Sequence, residues 1–143
     1  MEGIGKAMTK ILLVEDSKFL RLATERALAR AGYEVSSAAD GDEALRLAQE
    51  KLPDLILLDM LLPKMSGLDV LKRLKTGALT KAIPVVVLTG MAQKNAERLR
   101  QDGASGFLEK SALELDKGSE RLLVAVREIL NPGAAELARK TTA

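Results

Sequence analysis

The amino-acid sequence predicts an α/β protein of the doubly wound class, a five-stranded parallel sheet with helices on both faces. Two observations lead there. Five short aliphatic runs recur along the chain: Ile11 to Val14, Tyr33 to Ala38, Leu55 to Leu58, Pro84 to Leu88 and the weaker Gly106 to Leu108. Between them lie segments whose apolar residues return every three or four positions, the spacing of a helix with one buried face. Nearly unbroken aliphatic strands alternating with helices mark a parallel sheet covered on both sides, since such strands keep no face for water.

The elements follow in order. The first run is closed by Glu15, Asp16 and Ser17, and either Asp16 or Ser17 suits the start of a helix. In that helix Leu20, Ala23, Ala27 and Ala31 share one face, and Gly32 is placed to end it. After the second strand, Asp40-Gly41-Asp42 supplies turn and cap for a short helix marked by Ala44, Leu45, Leu47 and Ala48. Leu68, Leu71, Leu74 and Lys75 follow a third helix, and Ala92, Ala96, Leu99 and Arg100 a fourth. The clearest stripe is the last, Leu122, Ala125, Val126, Ile129 and Leu130, stopped by Asn131-Pro132-Gly133. One domain is expected over 10–131. Residues 1–9 read as an N-terminal extension, with a natural start at Met8-Thr9-Lys10, and 132–143 as a short C-terminal tail.

Composition excludes much. In 143 residues, 47% of them hydrophobic, there is material for one good core and not for two. The 22 Lys and Arg nearly balance the 20 Asp and Glu and are scattered, so no basic stripe points to direct nucleic-acid binding. There is no cysteine, hence no disulfide framework, thiolate zinc site or thiol nucleophile, and a reducing compartment fits best. No apolar stretch approaches the roughly 18 residues needed to span a bilayer, so no membrane insertion is expected, and a cytoplasmic location is. Histidine is absent as well, which removes His-dependent triads and imidazole ligands. Any chemistry must use carboxylates, hydroxyls and lysines.

Right-handed crossovers bring all strand C-termini to one edge of such a sheet, where open α/β sheets hold their ligands. Glu15 and Asp16 follow the first strand, Asp59 the third, Thr89 the fourth, and Glu109 and Lys110 the fifth. The second strand ends in Ala38-Ala39, as expected for an edge strand away from a site. Taken singly, each residue has an ordinary explanation as a cap, a turn residue or a solvated lysine. Taken jointly they do not: with 20 acids in 143 residues, acids at three chosen strand ends are a coincidence of about one in several hundred.

Carboxylates converging in a crevice repel one another unless a cation neutralises them, and hard oxygen ligands select Mg2+ or Mn2+. The acids after the first strand can hold such a metal while Asp59 keeps one oxygen free as a nucleophile for phosphoryl transfer. Donors for the equatorial oxygens of the transferring group then arrive from neighbouring strands as the Thr89 hydroxyl and the Lys110 ammonium.

Four blocks in order, LLVEDS, DLILLDMLLPKMSG, PVVVLTG and GFLEKS, resemble the receiver domains of two-component response regulators. The resemblance covers nearly all of residues 10 to 130 and implies the flavodoxin-like strand order 2-1-3-4-5. It implies Mg2+ held by Glu15, Asp16, Asp59 and the backbone carbonyl of Leu61, with Asp59 as phosphoacceptor. Thr89 and Lys110 would bind the phosphoryl group, and Phe107 stands at the aromatic switch position. Pro63, Met65 and Gly67 match the loop after the acceptor. The implied function is that of a single-domain response regulator, not a stand-alone enzyme, catalysing only its own phosphorylation and dephosphorylation. A partner histidine kinase or phosphotransfer protein would donate phosphate to Asp59, and Thr89 and Phe107 would then shift and alter a docking face for a downstream protein.

Three departures from the family pattern stand out. Ser111 follows Lys110 where the family commonly has proline, often after a cis peptide; a cis bond to a non-proline residue costs about 2.5 to 4 kcal/mol. The segment SALELDKGSE is longer than the usual connection by roughly four residues. Leu61 and Met91 fall, by resemblance, where they flank the path of the hydrolytic water, so slow phosphate loss is expected. Two other functions compete: a receiver-like docking module acting without phosphorylation, and a metal-dependent phosphatase or nucleotide hydrolase. The latter is disfavoured because the chain has no GxxxxGK[ST] loop and no histidine.

Overall fold

The computed structural model describes residues 8–90, 96–110 and 118–131. The described elements are β1 (Lys10–Val14), α1 (Lys18–Arg30), β2 (Glu34–Ala38), α2 (Gly41–Lys51), β3 (Leu55–Asp59), α3 (Gly67–Thr76), β4 (Val85–Thr89), α4 (Ala96–Gln101), β5 (Gly106–Glu109) and α5 (Gly118–Leu130). The strands form one parallel sheet in the order β2-β1-β3-β4-β5. The flavodoxin-like order expected from the sequence is therefore present, with β2 at an edge.

Strand alternation divides the core. Leu12, Val14, Ile56, Leu58, Val85 and Val87 pack with Ala44 and Ala48 of α2, with Val70, Leu71 and Leu74 of α3, and with Leu99 of α4. Their neighbours in sequence, Ile11, Leu13, Leu55, Leu57, Val86 and Leu88, turn the other way against Leu28 of α1 and Leu122 and Val126 of α5. Successive side chains of a strand point to opposite faces, so a strand buried on both sides must be apolar at every position. In β3 all of Leu55 to Leu58 are inaccessible to solvent, each contributing about 1.5 to 3 kcal/mol by burial. That rigid central strand carries Asp59 at its end.

Local chemistry sets the helix ends. Ser17 caps α1, its hydroxyl accepting from the Leu20 N–H at 3.4 Å, so Asp16 is left for other work. At the other end Gly32, at φ +98°, closes the helix as anticipated. The Gly32 N–H donates to the Ala29 carbonyl at 3.0 Å and the Tyr33 N–H to that of Leu28 at 3.2 Å, a paired C-terminal closure that needs a left-handed residue. Asp40 caps α2 through the Glu43 N–H at 2.9 Å.

The inward face of α1 holds Leu20, packed on the core, with Ala23 and Ala27 half-buried, but its most buried positions lie beside that expected stripe. The buried residues are Thr24 and Leu28, and Ala31 is the exposed C-terminal cap. Apolar counting passed over Thr24 because it is polar, and the large Leu28 rather than the small alanines fills the space below the sheet. The Ala92 position of the fourth helical stripe, residues 1–7 of the assigned extension, the assigned tail, and most of the long segment after Lys110 lie outside the described residues.

Candidate functional site

The sheet's C-terminal edge gathers the residues singled out by sequence. Glu15 follows β1 and Asp59 ends β3, and both are fully buried, at 0% exposure. Asp16 is exposed, yet it offers an oxygen to the same cluster: carboxylate oxygens of Glu15, Asp16 and Asp59 lie within 4.8 Å of one another. Parallel register aligns the rest. Asp59 pairs with Leu88 and Thr89 with Glu109, so Thr89 stands one residue beyond Asp59 on the adjacent strand, with Lys110 just past Glu109.

Lys110 reaches back across the site. Its Nζ lies 3.0 Å from Asp59 Oδ2 and 3.2 Å from Glu15 Oε1. The second oxygen of Asp59, Oδ1, accepts from the Leu61 N–H at 3.1 Å, and Glu15 Oε2 accepts from the Ser17 N–H at 3.0 Å. Both oxygens of Asp59 thus accept hydrogen bonds, one from the Leu61 N–H and one from Lys110. Two buried carboxylates need a counter-charge, and a lysine at the end of β5 has the length to supply it.

The electrostatics follow from burial. Desolvation pushes the Glu15 carboxyl above its ordinary value and the Asp59 charge adds to this, while the Ser17 N–H and Lys110 pull part of the way back. For Lys110 burial disfavours the charge, but the carboxylates of Asp59 and Glu15 outweigh it and its pKa is raised. The ammonium and the acids are each held by the others.

These residues fit a hard divalent cation. The donors are all oxygens, and Glu15 Oε1, fully shielded from water, accepts no hydrogen bond although the Lys110 ammonium is near it. A buried lone pair without a donor is unfavourable in itself and is what an oxygen-seeking ion such as Mg2+ or Mn2+ would satisfy. For Leu61, the geometry on hand is that of its N–H, on Asp59.

Loop packing places Asp59. The Gly67 N–H donates to the Met60 carbonyl at 3.0 Å and Ser66 caps α3 through the Asp69 N–H at 3.1 Å, drawing the loop after β3 tight under Asp59. Lys64 in that loop has φ +70° and reaches Asp40 Oδ2 at 3.6 Å. Phe107 on β5 is half-buried and packs with the α3 and α4 side of the core. Met91 and the Lys110-Ser111 peptide lie outside the described residues.

One participant was not found by reading the sequence. Arg21, one turn into α1, donates to the carbonyls of Glu15 at 2.9 Å and Asp16 at 3.4 Å, fastening the backbone that carries both acids. Backbone carbonyls leave no trace in residue type, so only the spacing of an arginine one turn after the acidic pair could have suggested it.

An open 2-1-3-4-5 sheet with an acidic cluster and a lysine at its C-terminal edge defines a receiver module of two-component signalling. The chain belongs to the response regulator receiver domain family, whose family model matches residues 11–122. Among its relatives, the polar-differentiation response regulator DivK of Brucella ovis is 41% identical over 105 residues, covering 72% of this chain and 85% of that protein. The chemotaxis response regulator CheY4 of Vibrio cholerae superposes with a TM-score of 0.78 at 34% identity, covering 87% of this chain and all of that one. A CheY-like receiver domain protein of Methanospirillum hungatei gives 0.78 at 27% identity, over 91% and 99% of the two chains. Among the described residues no helix is long and apolar enough to cross a membrane.

Proposed function

We propose that the chain is a phosphorylation switch of the cytoplasm, with residues 10–131 as the working domain, accepting a phosphoryl group on Asp59 from a histidine kinase or phosphotransfer protein and signalling through protein contacts. The observation that carries this reading is Asp59 itself: a fully buried carboxylate at the end of the central strand, oriented by the Leu61 N–H and faced by Lys110. A buried acid held on both oxygens is positioned for in-line attack, since little motion is left to freeze out.

In this reading Glu15, Asp16 and Asp59, with the Leu61 carbonyl, would hold Mg2+, which would supply charge neutralisation for the transferring phosphoryl group. An Asp59 oxygen forms the new O–P bond as the N–P bond of the donor phosphohistidine breaks, the electron pair leaving with the imidazole nitrogen, which takes up a proton. Lys110 exchanges its contact with Asp59 Oδ2 for one with a phosphoryl oxygen, and the Thr89 hydroxyl donates to another. Arg21 keeps the Glu15-Asp16 backbone in place. Thr89 movement is then passed to Phe107, and the altered surface recruits or releases a downstream protein. Loss of the phosphoryl group by hydrolysis resets the switch.

The test is intact mass after incubation with Mg2+ and acetyl phosphate, beside Asp59→Asn. Gain of one phosphoryl group, absent from the variant, is the expected result. No gain in the wild-type protein sinks the proposal and leaves a docking module that works unmodified.

A further inference from the structure

The guanidinium carbon of Arg100 lies over the ring of Phe107, 5.4 Å from its centroid. The ring face of an aromatic residue carries negative potential, and a cation within about 6 Å of the centroid is attracted to it. We infer that Arg100 is a positioning residue that holds Phe107 in its half-buried place and sets the threshold for its switching. This rests on the reading of Phe107 as the element that moves when Asp59 is phosphorylated.

The contact is supported by the chain between the two residues, where four successive N–H groups are tied. The Asp102 N–H donates to the Arg98 carbonyl at 2.9 Å, Gly103 to Arg100 at 3.0 Å, and Ala104 to Leu99 at 2.9 Å. Gly103 makes the turn at φ +110°, and a Cβ there would come within 2.5 Å of the Lys75 side chain. The Ser105 N–H then donates to the Val85 carbonyl at 2.8 Å, locking the start of β5 onto β4. Leu99, the residue beside Arg100, is buried in the same part of the core against which Phe107 packs. The backbone at the end of α4 and the start of β5 is therefore held in one geometry, which brings the exposed Arg100 within reach of the half-buried ring.

The partition of charges around Arg100 agrees. Arg98, two residues earlier, points to Asp102 at 3.9 Å, so the helix end divides its cations, one to a carboxylate and one to the ring. Phe107 also stands opposite Val87 in β4, two residues from Thr89 on the same face. An inward turn of the ring, drawn by Thr89, has to leave the guanidinium behind. Removing the cation should raise the share of molecules with the ring turned inward about two- to five-fold before any phosphorylation.

The chain has only two phenylalanines, which makes the ring directly observable. Ring-13C-phenylalanine is incorporated into the full chain, Phe19→Leu assigns the remaining signal to Phe107, and beryllofluoride with Mg2+ supplies a stable phosphoryl mimic. Along the line from the free to the beryllofluoride-bound position, Arg100→Gln should move the free protein's Phe107 signal toward the bound end, and Arg100→Lys should move it less. If neither variant moves the signal while wild type responds to beryllofluoride, the positioning role is overturned. Equal movement in both variants also overturns it, since packing and not charge would then be responsible. A Phe107 signal that ignores beryllofluoride in wild type, in a protein that still gains phosphate on Asp59, instead sinks the switch reading on which the inference rests.

Discussion

A Cβ placed on Gly67 would stand 2.5 Å from the carbonyl oxygen of Asp59 and 2.5 Å from Cα of Met60. Both are backbone atoms that cannot turn aside. The first residue of α3 must therefore be glycine for the loop to close beneath the end of β3.

Gly67→Ala should accordingly destabilise the fold by about 2 kcal/mol, the usual scale of overpacking against atoms that cannot relax. If Asp59 is the acceptor, the variant should also slow acquisition of phosphate there, because the relief comes by displacing the residues that carry it. Urea unfolding and acetyl phosphate labelling check the two parts. A variant of wild-type stability and labelling rate would contradict the close approach.

Lys110 is the counter-ion of two buried acids, so Lys110→Met should cost about 2 kcal/mol at pH 7, less than for a fully buried pair because the lysine keeps some access to water. The pH dependence has a definite sign. Glu15 has its folded pKa raised above 4.5, so the folded state holds a proton more firmly than the unfolded one, and stability falls as pH rises from 4.5 through the folded value. Without Lys110 that value rises further, and the variant should recover part of its deficit between pH 7 and pH 5. The lysine's own raised pKa keeps its contribution intact below 10.5 and loses it only at higher pH. Unfolding curves at three pH values decide this; a deficit constant from pH 7 to 5 speaks against it.

Asp40 is held below its ordinary pKa, chiefly by the Glu43 N–H it caps and also by Lys64. Its contribution to stability is present above about pH 3.8 and is lost as pH falls through the lowered folded value. Asp40→Ala should lower the melting temperature at pH 7, and the gap should narrow in acid as the charge is lost. Asp40→Asn, which keeps the cap and loses the charge, should lie between. A gap that persists unchanged at the lowest pH where both remain folded would count against the cap.

Leu61 is 71% exposed one residue past the Asp59-Met60 pair, and its side chain has no polar atom with which to orient water. If Asp59 is the acceptor, Leu61→Asn should shorten the phosphoryl half-life several-fold with little change in stability. The decay of phosphorylated protein by mass spectrometry measures it. A half-life equal to wild type would mean that Leu61 does not govern access of water.

Much of this was legible along the chain. Strand boundaries agree to within about one residue, the usual uncertainty of such ends, and the cap and stop residues Asp40 and Gly32 stand where their chemistry predicts. Glu15, Asp16, Asp59 and Lys110 do meet at one edge, as the order of strands requires. The misses have a common character: the polar Thr24 is buried beside the expected stripe of α1, and Arg21 works through backbone carbonyls that residue types do not reveal.

The residue order by itself determined the layers, the sheet edge and the kinds of group that gather there, because burial period, crossover handedness and the ends of strands are consequences of local pattern. Only the tertiary structure decided that Lys110 bridges Asp59 and Glu15, that both oxygens of Asp59 are engaged, that Gly67 lies against the Asp59 backbone, and that Arg100 covers Phe107. The physical reason is range: these relationships depend on distances of a few ångströms between residues far apart in sequence or around tight turns. Packing fixes such distances, and composition and spacing do not.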